Sequence, residues 1–380
     1  MYSFWLRPGG CSLIFLQQRS VSLCFFVPLV SNDKVMDINK ENLLFPPFSD
    51  RVWIDVRSPL EYAKGHIPGA YNIALFSDEE RAKVGTTYVK IGRNEAITEG
   101  LKYVGAKWHH FEEMLKGFLD KEGKTKVMVY CARGGMRSAS MAWLFRLYNH
   151  DVEVFPKGYS GFKKLLPQMV DAIKHLVVID GPTGSGKTDL LLCLSKQGRQ
   201  VIDLEGIAHH KGSAFGYYVD RNQPTNEMIY NHIVVALSRM DLTEPIFIES
   251  ESKKIGAREV PDVLFAKMQQ SNLISVESSV DDRVSRIVKG YAELPKDMLI
   301  EAFSKIEKRL GSVETEEGIR SVNEGDYHKA TRIALKYYDK AYAKSSAKLW
   351  DGQSLGRVKH TLDNTPEAAT MIVDVFKRSV

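Results

Sequence analysis

The feature that most restricts how this 380-residue chain can fold is the run Gly181-Pro182-Thr183-Gly184-Ser185-Gly186-Lys187-Thr188, a complete GxxxxGK[ST] phosphate loop. It follows the apolar stretch Leu176-Val177-Val178-Ile179-Asp180 and leads into Leu190-Leu191-Leu192-Cys193-Leu194, so it joins an expected strand to an expected helix. Gly181, Gly184, Ser185 and Gly186 let backbone N–H groups converge on phosphate oxygens, and the helix N-terminus adds a positive dipole. Lys187 is placed to neutralise terminal phosphates and Thr188 to ligate Mg²⁺. Further apolar strands at 200–203 and 245–249 end in Asp203 and Glu249. Each of these acids reads either as an acidic ligand or pocket residue beside the phosphates, or as a solvated strand end or helix cap.

A second motif lies upstream. Val127-Met128-Val129-Tyr130 reads as a buried parallel strand, and Cys131-Ala132-Arg133-Gly134-Gly135-Met136-Arg137-Ser138 follows it at the start of a helix. Backbone amides of such a loop can surround an anion. Arg133, Arg137 and the helix dipole are expected to lower the Cys131 thiol pKa and make it a nucleophile. Cys193, inside an apolar helical run, reads as core. The chain has only 4 cysteines and no CxxC, which argues against a disulfide framework or a structural zinc site and for a reducing compartment, the cytoplasm. No His/Cys cluster has metal-ligand spacing. At 44% hydrophobic and 26% charged residues, wholesale disorder and a polytopic membrane protein are excluded. The net charge of +5 is compatible with a phosphate-rich partner.

Short strands also appear at Val52-Trp53-Ile54 and Val152-Glu153-Val154-Phe155, and beyond about residue 260 the chain reads as mostly helical. The expected fold class is α/β, with one domain over 40–172 and a P-loop NTPase-like parallel-sheet domain with a helical C-terminal part over 173–380. Residues 1–35 stand apart, as a targeting leader or a start placed upstream of Met36. Their two apolar runs are interrupted at Gln17-Gln18-Arg19, and neither reaches the ~20 residues a membrane span needs.

Asp55-Val56-Arg57-Ser58-Pro59-Leu60-Glu61-Tyr62 with Gly65-His66-Ile67-Pro68-Gly69-Ala70 resembles the rhodanese signature, and Cys131 lies where that family carries sulfur. In that fold Asp55, Arg57 and Glu61 are expected to be structural and His66 a turn residue. The wider set resembles the tRNA 2-selenouridine synthase family. It comprises Asp78-Glu79-Glu80-Arg81, Val84-Gly85-Thr86, the cysteine loop, Gly158-Tyr159, the phosphate loop, 203–208, 212–216, Glu249-Ser250-Glu251-Ser252, Ile255-Gly256 and Pro261. Ala132 departs from the aromatic common at its position.

This resemblance implies an enzyme acting on wobble 2-thiouridine of tRNA. The family geranylates the sulfur with geranyl diphosphate, then replaces S-geranyl with selenium from selenophosphate. Alkylation turns a poor leaving group into a good one. By the same resemblance Cys131 carries selenium as S-selanylcysteine; because phosphate binding is what its residues do, the phosphate loop is expected to hold the geranyl donor's diphosphate. ATP or GTP is the other ligand such a loop takes. No tightly bound cofactor is implied. His209, His210 and Lys211 are pocket candidates. Arg332, Lys336, Lys340, Lys344 and Lys348 recur every four residues with Tyr337, Tyr338, Tyr342 and Trp350 interleaved. They form either a basic ridge for tRNA phosphates with stacking aromatics, or a solvated lysine face over core tyrosines. The competing functions are a rhodanese-fold cysteine phosphatase fused to a kinase-like domain, since Cys131 and Arg137 have Cys-x5-Arg spacing, and a non-catalytic tRNA-binding or sulfur-relay module. Tyr130 stands where such phosphatases commonly carry histidine.

Overall fold

The computed structural model describes residues 50–211, 223–291, 294–349 and 352–379. The leader and the 212–216 motif lie outside the described residues. Two all-parallel sheets organise the rest. The first comprises β1 (Arg51–Asp55), β2 (Tyr71–Asn72), β3 (Lys126–Tyr130) and β4 (Asp151–Val154) in the order β2-β1-β3-β4. The second comprises β5 (Leu176–Asp180), β6 (Gln200–Ile202), β7 (Ile246–Glu249), β10 (Asn272–Glu277) and β11 (Ser354–Lys359) in the order β11-β10-β5-β7-β6. A small antiparallel hairpin pairs β8 (Lys254–Ile255) with β9 (Arg258–Glu259).

The helices follow from the same chemistry. Ser58 and Glu61 form a reciprocal capping box around Pro59 at the start of α1 (Pro59–Lys64), and Ser77 with Glu80 does the same for α2 (Asp78–Lys90). Helices α3 (Arg93–Gly105), α4 (Trp108–Glu122) and α5 (Met136–Leu147) complete the outer side of the first sheet. Helices α6 (Gly158–Lys163) and α7 (Leu165–Ala172) lead into the second sheet, where α8 (Lys187–Lys196), α9 (Leu204–Ala208), α10 (Asn226–Leu237) and α11 (Asp262–Gln269) connect strands. The C-terminal part adds α12 (Val280–Tyr291), α13 (Lys296–Leu310), α14 (Ser312–Glu324), α15 (Tyr327–Leu349) and α16 (Thr365–Ser379).

Alternation along the strands distributes three cores. Val52, Ile54, Val127 and Val129 face Phe111 and Leu115 of α4 and Phe145 of α5. Val177 and Ile179 face Leu190 and Leu194 of α8 and Ile372 and Phe376 of α16. The opposite faces of both sheets share one core, in which Trp53, Met128 and Tyr130 meet Val178 and Ile248 through Phe162, Leu166, Ile233 and Leu264 on α6, α7, α10 and α11. The described residues accordingly fall in one compact unit.

The C-terminal region is mostly helical, as expected, and adds two strands to the second sheet. Of these, β10 lies directly beside the phosphate-loop strand, with Ser275 opposite Asp180. Its Leu273, Ile274 and Val276 form a short apolar run like the others, whereas edge strand β11 (SLGRVK) carries charges and reads poorly as a strand.

Candidate active site

Cys131 is the first residue after β3. Its side chain is 3% exposed, and its Sγ lies 3.3 Å from the Ser138 hydroxyl, which is itself 3.0 Å from the Gly135 carbonyl. Burial pushes the thiol pKa up, but the Ser138 hydroxyl and the backbone N–H groups of Arg133, Ser138 and Gly135 outweigh it and hold the thiol below its usual value. The lowering comes chiefly from amides and a hydroxyl rather than from the two guanidinium groups. Arg133 is exposed, and Arg137 donates to Glu61 at 2.7 Å. Arg81 lies 3.7 Å from the same carboxylate. Burial raises the Glu61 pKa, and Arg137, the Ser58 N–H and Arg81 together more than reverse that. Glu61 thus fixes Arg137 beside the loop. Asp55 and Arg57 are a buried bidentate pair, with Arg57 also donating to the Gly65 carbonyl and lying 3.9 Å from the Tyr159 ring centre.

The cysteine loop is clasped from β4 onwards. Tyr159 N–H donates to the Cys131 carbonyl at 2.8 Å and Ser160 N–H to the Ala132 carbonyl at 2.9 Å. Gly158, at φ +55, can approach only because it lacks a Cβ, which would sit 2.3 Å from the Cys131 carbonyl oxygen.

In the phosphate loop, Lys187 Nζ donates to the Gly181 carbonyl at 2.8 Å. Three more carbonyls of the loop have side-chain partners from the C-terminal part. Arg283 Nε donates to Thr183 O at 2.8 Å, Arg286 to Gly184 O at 2.7 Å, and the His360 ring lies 2.7 Å from Ser185 O. Engaging the carbonyls in this way suits a loop whose amides serve an anion. Ser185 Oγ is buried with no hydrogen-bond partner among the described residues. Gly186, at φ +83, opens α8.

Thr188 Oγ1 donates to Glu205 at 2.9 Å and lies 3.2 Å from Glu249, while Glu249 also accepts the Glu205 N–H at 3.0 Å. Ligand oxygens of Glu205, Glu249 and Glu251 all lie within 4.8 Å of one another. Burial raises all three carboxyls, most strongly Glu249; the charge of Glu205 adds to this at Glu249 and Glu251, and that of Asp203 adds to it at Glu205. Lys187 opposes it at Glu205 and Glu251, leaving Glu251 at about 7. Of the two acids singled out in the sequence, Glu249 enters this cluster. Asp203 instead caps α9, accepting the Gly206 N–H at 2.7 Å. Glu205 and Glu251 were missed, although each stands two residues from a flagged strand-end acid.

His209 sits exposed in the left-handed region at the end of α9, outside that cluster, whereas His210 is buried against Gly256. On α15, Arg332, Lys336 and Lys340 are exposed, with Arg332 paired to Asp281. The tyrosines do not stand free beside them. Tyr337 and Tyr338 pack on the α13–α15 core, and Tyr342 donates to Asp180 at 2.6 Å. The side chains of Lys344 and Lys348, and all of Trp350, lie outside the described residues.

Residues 46–165 match the rhodanese-like domain and residues 174–355 the tRNA 2-selenouridine synthase AAA domain. The chain is 35% identical over 263 residues to a Nitrosomonas europaea protein named tRNA 2-selenouridine synthase, covering 67% of each. It is 32% identical over 325 residues to one of that name from Shewanella loihica, covering 76% of this chain and 85% of that one. The Shewanella pealeana protein of that name is 32% identical over 292 residues, covering 71% and 78%. With two family domains in tandem and identity of this extent, the chain belongs to the tRNA 2-selenouridine synthase family.

Proposed function

We propose that the chain is a tRNA-modifying enzyme that converts wobble 2-thiouridine to 2-selenouridine in the cytoplasm, in two transfers. In the first, the thiocarbonyl sulfur attacks C1 of geranyl diphosphate, the C–O bond breaks, and the N3 proton of the base is lost as diphosphate departs on the phosphate loop. In the second, the Cys131 thiolate attacks an external disulfide to form a mixed disulfide, the selenium of selenophosphate then attacks Cys131 Sγ and expels the external thiol, and water takes the phosphoryl group as phosphate. The terminal selenium attacks C2 and geranylthiol leaves. Two electrons from an external thiol then cleave the remaining S–Se bond.

The observation that carries this reading is the pairing of a thiolate-stabilising loop with a phosphate loop in one compact unit. Each suits one of the two leaving or carried groups. The oxygen donors of Thr188, Glu205, Glu249 and Glu251 suit Mg²⁺, which when bound would offset charge on the departing diphosphate. The exposed Arg332, Lys336 and Lys340 would take tRNA phosphates. Arg137 is tied to Glu61 through one nitrogen, and Tyr130 stands where the phosphatase alternative commonly carries histidine.

The test supplies 2-thiouridine tRNA and geranyl diphosphate, then selenophosphate with a thiol and its disulfide, and reads nucleosides by mass spectrometry. Lys187→Ala is expected to abolish the geranyl adduct, and Cys131→Ala to leave the adduct unconverted. An adduct that survives Lys187→Ala would assign the loop to another ligand such as ATP or GTP. Conversion that survives Cys131→Ala would mean that selenophosphate attacks C2 directly. No adduct and no selenium on folded, tRNA-binding protein would sink the reading.

A further inference from the structure

Asn231, in the middle of α10, is fully buried, and both of its amide hydrogens go to the other domain. Nδ2 lies 2.7 Å from the His66 carbonyl and 2.7 Å from the Tyr159 phenol oxygen. Its own Oδ1 is buried with no partner among the described residues. An amide half-satisfied in an apolar core is a cost to folding, so stability alone does not account for it.

The rest of the helix seats the same contact. Thr225, the N-cap of α10, donates its hydroxyl to the Lys64 carbonyl at 2.8 Å, and Glu227 lies 3.3 Å from Lys163. The His66 N–H points at Met228 Sδ, 3.3 Å away. A Cβ on Gly65 would sit 2.5 Å from Glu227 Cγ, so the turn of the rhodanese signature is the bed on which α10 lies.

What Asn231 grips is the strap that shapes the cysteine loop. Tyr159 holds the Cys131 carbonyl through its own N–H, and its neighbours Gly158 and Ser160 complete the clasp. The orientation of the Arg133, Gly135 and Ser138 amides around Sγ depends on that clasp. We propose that Asn231 is a positioning residue for Cys131, so that the nucleophilic centre of the rhodanese-like domain is completed by the phosphate-loop domain. This rests on the reading of Cys131 as the nucleophile. It adds that the cysteine loop takes its working geometry only with α10 in place.

The test is the pH profile of Cys131 alkylation by iodoacetamide in the full chain. Peptide mass spectrometry separates Cys131 from the other cysteines. Asn231→Leu keeps the volume and removes both donors, and Tyr159→Phe keeps the ring and removes the acceptor. Each is expected to move the profile to higher pH and slow alkylation at neutral pH by about tenfold, which corresponds to one pKa unit. The high-pH plateau should stay at the wild-type rate. The double variant should add little to either single one. A wild-type profile at an ordinary thiol's position would sink the nucleophile reading itself. A depressed wild-type profile that stays put in both folded variants, whatever happens to their melting temperatures, would overturn the role of Asn231 alone. If Asn231→Leu does not fold, Tyr159→Phe decides by the same criterion.

Discussion

At Cys131 two opposing effects meet, and their balance sets the chemistry. Burial disfavours a thiolate, while three backbone N–H groups and the Ser138 hydroxyl favour it strongly enough to win. The hydroxyl is the one partner that mutation can remove without disturbing the backbone. It has a single proton to share between Sγ and the Gly135 carbonyl, and a thiolate is the better acceptor. A hydrogen bond to a charged group contributes roughly 1.5–3 kcal/mol, so Ser138→Ala should raise the Cys131 pKa by about one unit or more. The lowered pKa keeps the wild-type thiolate populated on the acid side of an ordinary thiol's range. The variant should therefore lose reactivity as pH falls through a higher midpoint, with rates converging at alkaline pH. Thiolate absorbance against pH, with Cys131→Ala subtracted, measures this directly. Coincident curves for wild type and Ser138→Ala would leave the amides as the whole cause.

The helices carry what individual residues cannot. Helix α15 reads from sequence either as a basic ridge with stacking aromatics or as a lysine face over core tyrosines; in the fold its tyrosines turn inward and it braces the phosphate loop. Tyr342 reaches Asp180, the last residue of β5, whose other oxygen accepts from Ser250 at 2.6 Å, between the acids Glu249 and Glu251. Three residues earlier on the same helix, Asp339 pairs with Arg283, which holds the Thr183 carbonyl. Tyr342→Phe should therefore cost about 1.5 kcal/mol through a lost hydrogen bond to a carboxylate. It should also weaken pyrophosphate binding while leaving the pH profile of Cys131 unmoved. Urea unfolding at constant m-value and calorimetric pyrophosphate titration check the two halves. Unchanged affinity at lowered stability would make α15 a mere buttress. The motifs were readable from sequence because each is contiguous: strand, loop, helix, with the reacting residue at the loop. The brace was not, because Tyr342 and Asp180 are 162 residues apart and a tyrosine every few positions looks the same whether it faces base, core or loop. Asp203 stayed open between two readings for the opposite reason, since a strand-end acid and a helix cap share one local pattern, and the cap geometry decided.

For the whole molecule, the consequential fact is the shared core. Each sheet reads from sequence as a domain of its own, with apolar runs and turns to match, and the family matches divide the chain in the same way. Nothing in a strand's composition says which neighbour its inner face will find. Here the inner faces of both sheets find the same layer of helices, so that Trp53 of β1 and Ile248 of β7 belong to one cluster through residues such as Ile233. Neither half can open that layer without exposing the other. A small cut in the layer should thus be felt on both sides. Ile233→Val removes one buried methyl group from α10, at a cost of about 1 kcal/mol. Native-state hydrogen exchange should show that loss equally in β1 and β3 of the first sheet and in β5 and β7 of the second, as one cooperative unit. Loss confined to β5 and β7 would mean that the two sheets open independently. In that case the cysteine loop would keep its geometry when the phosphate-loop half breathes, and the coupling through Asn231 would act by contact alone and not through a common fold.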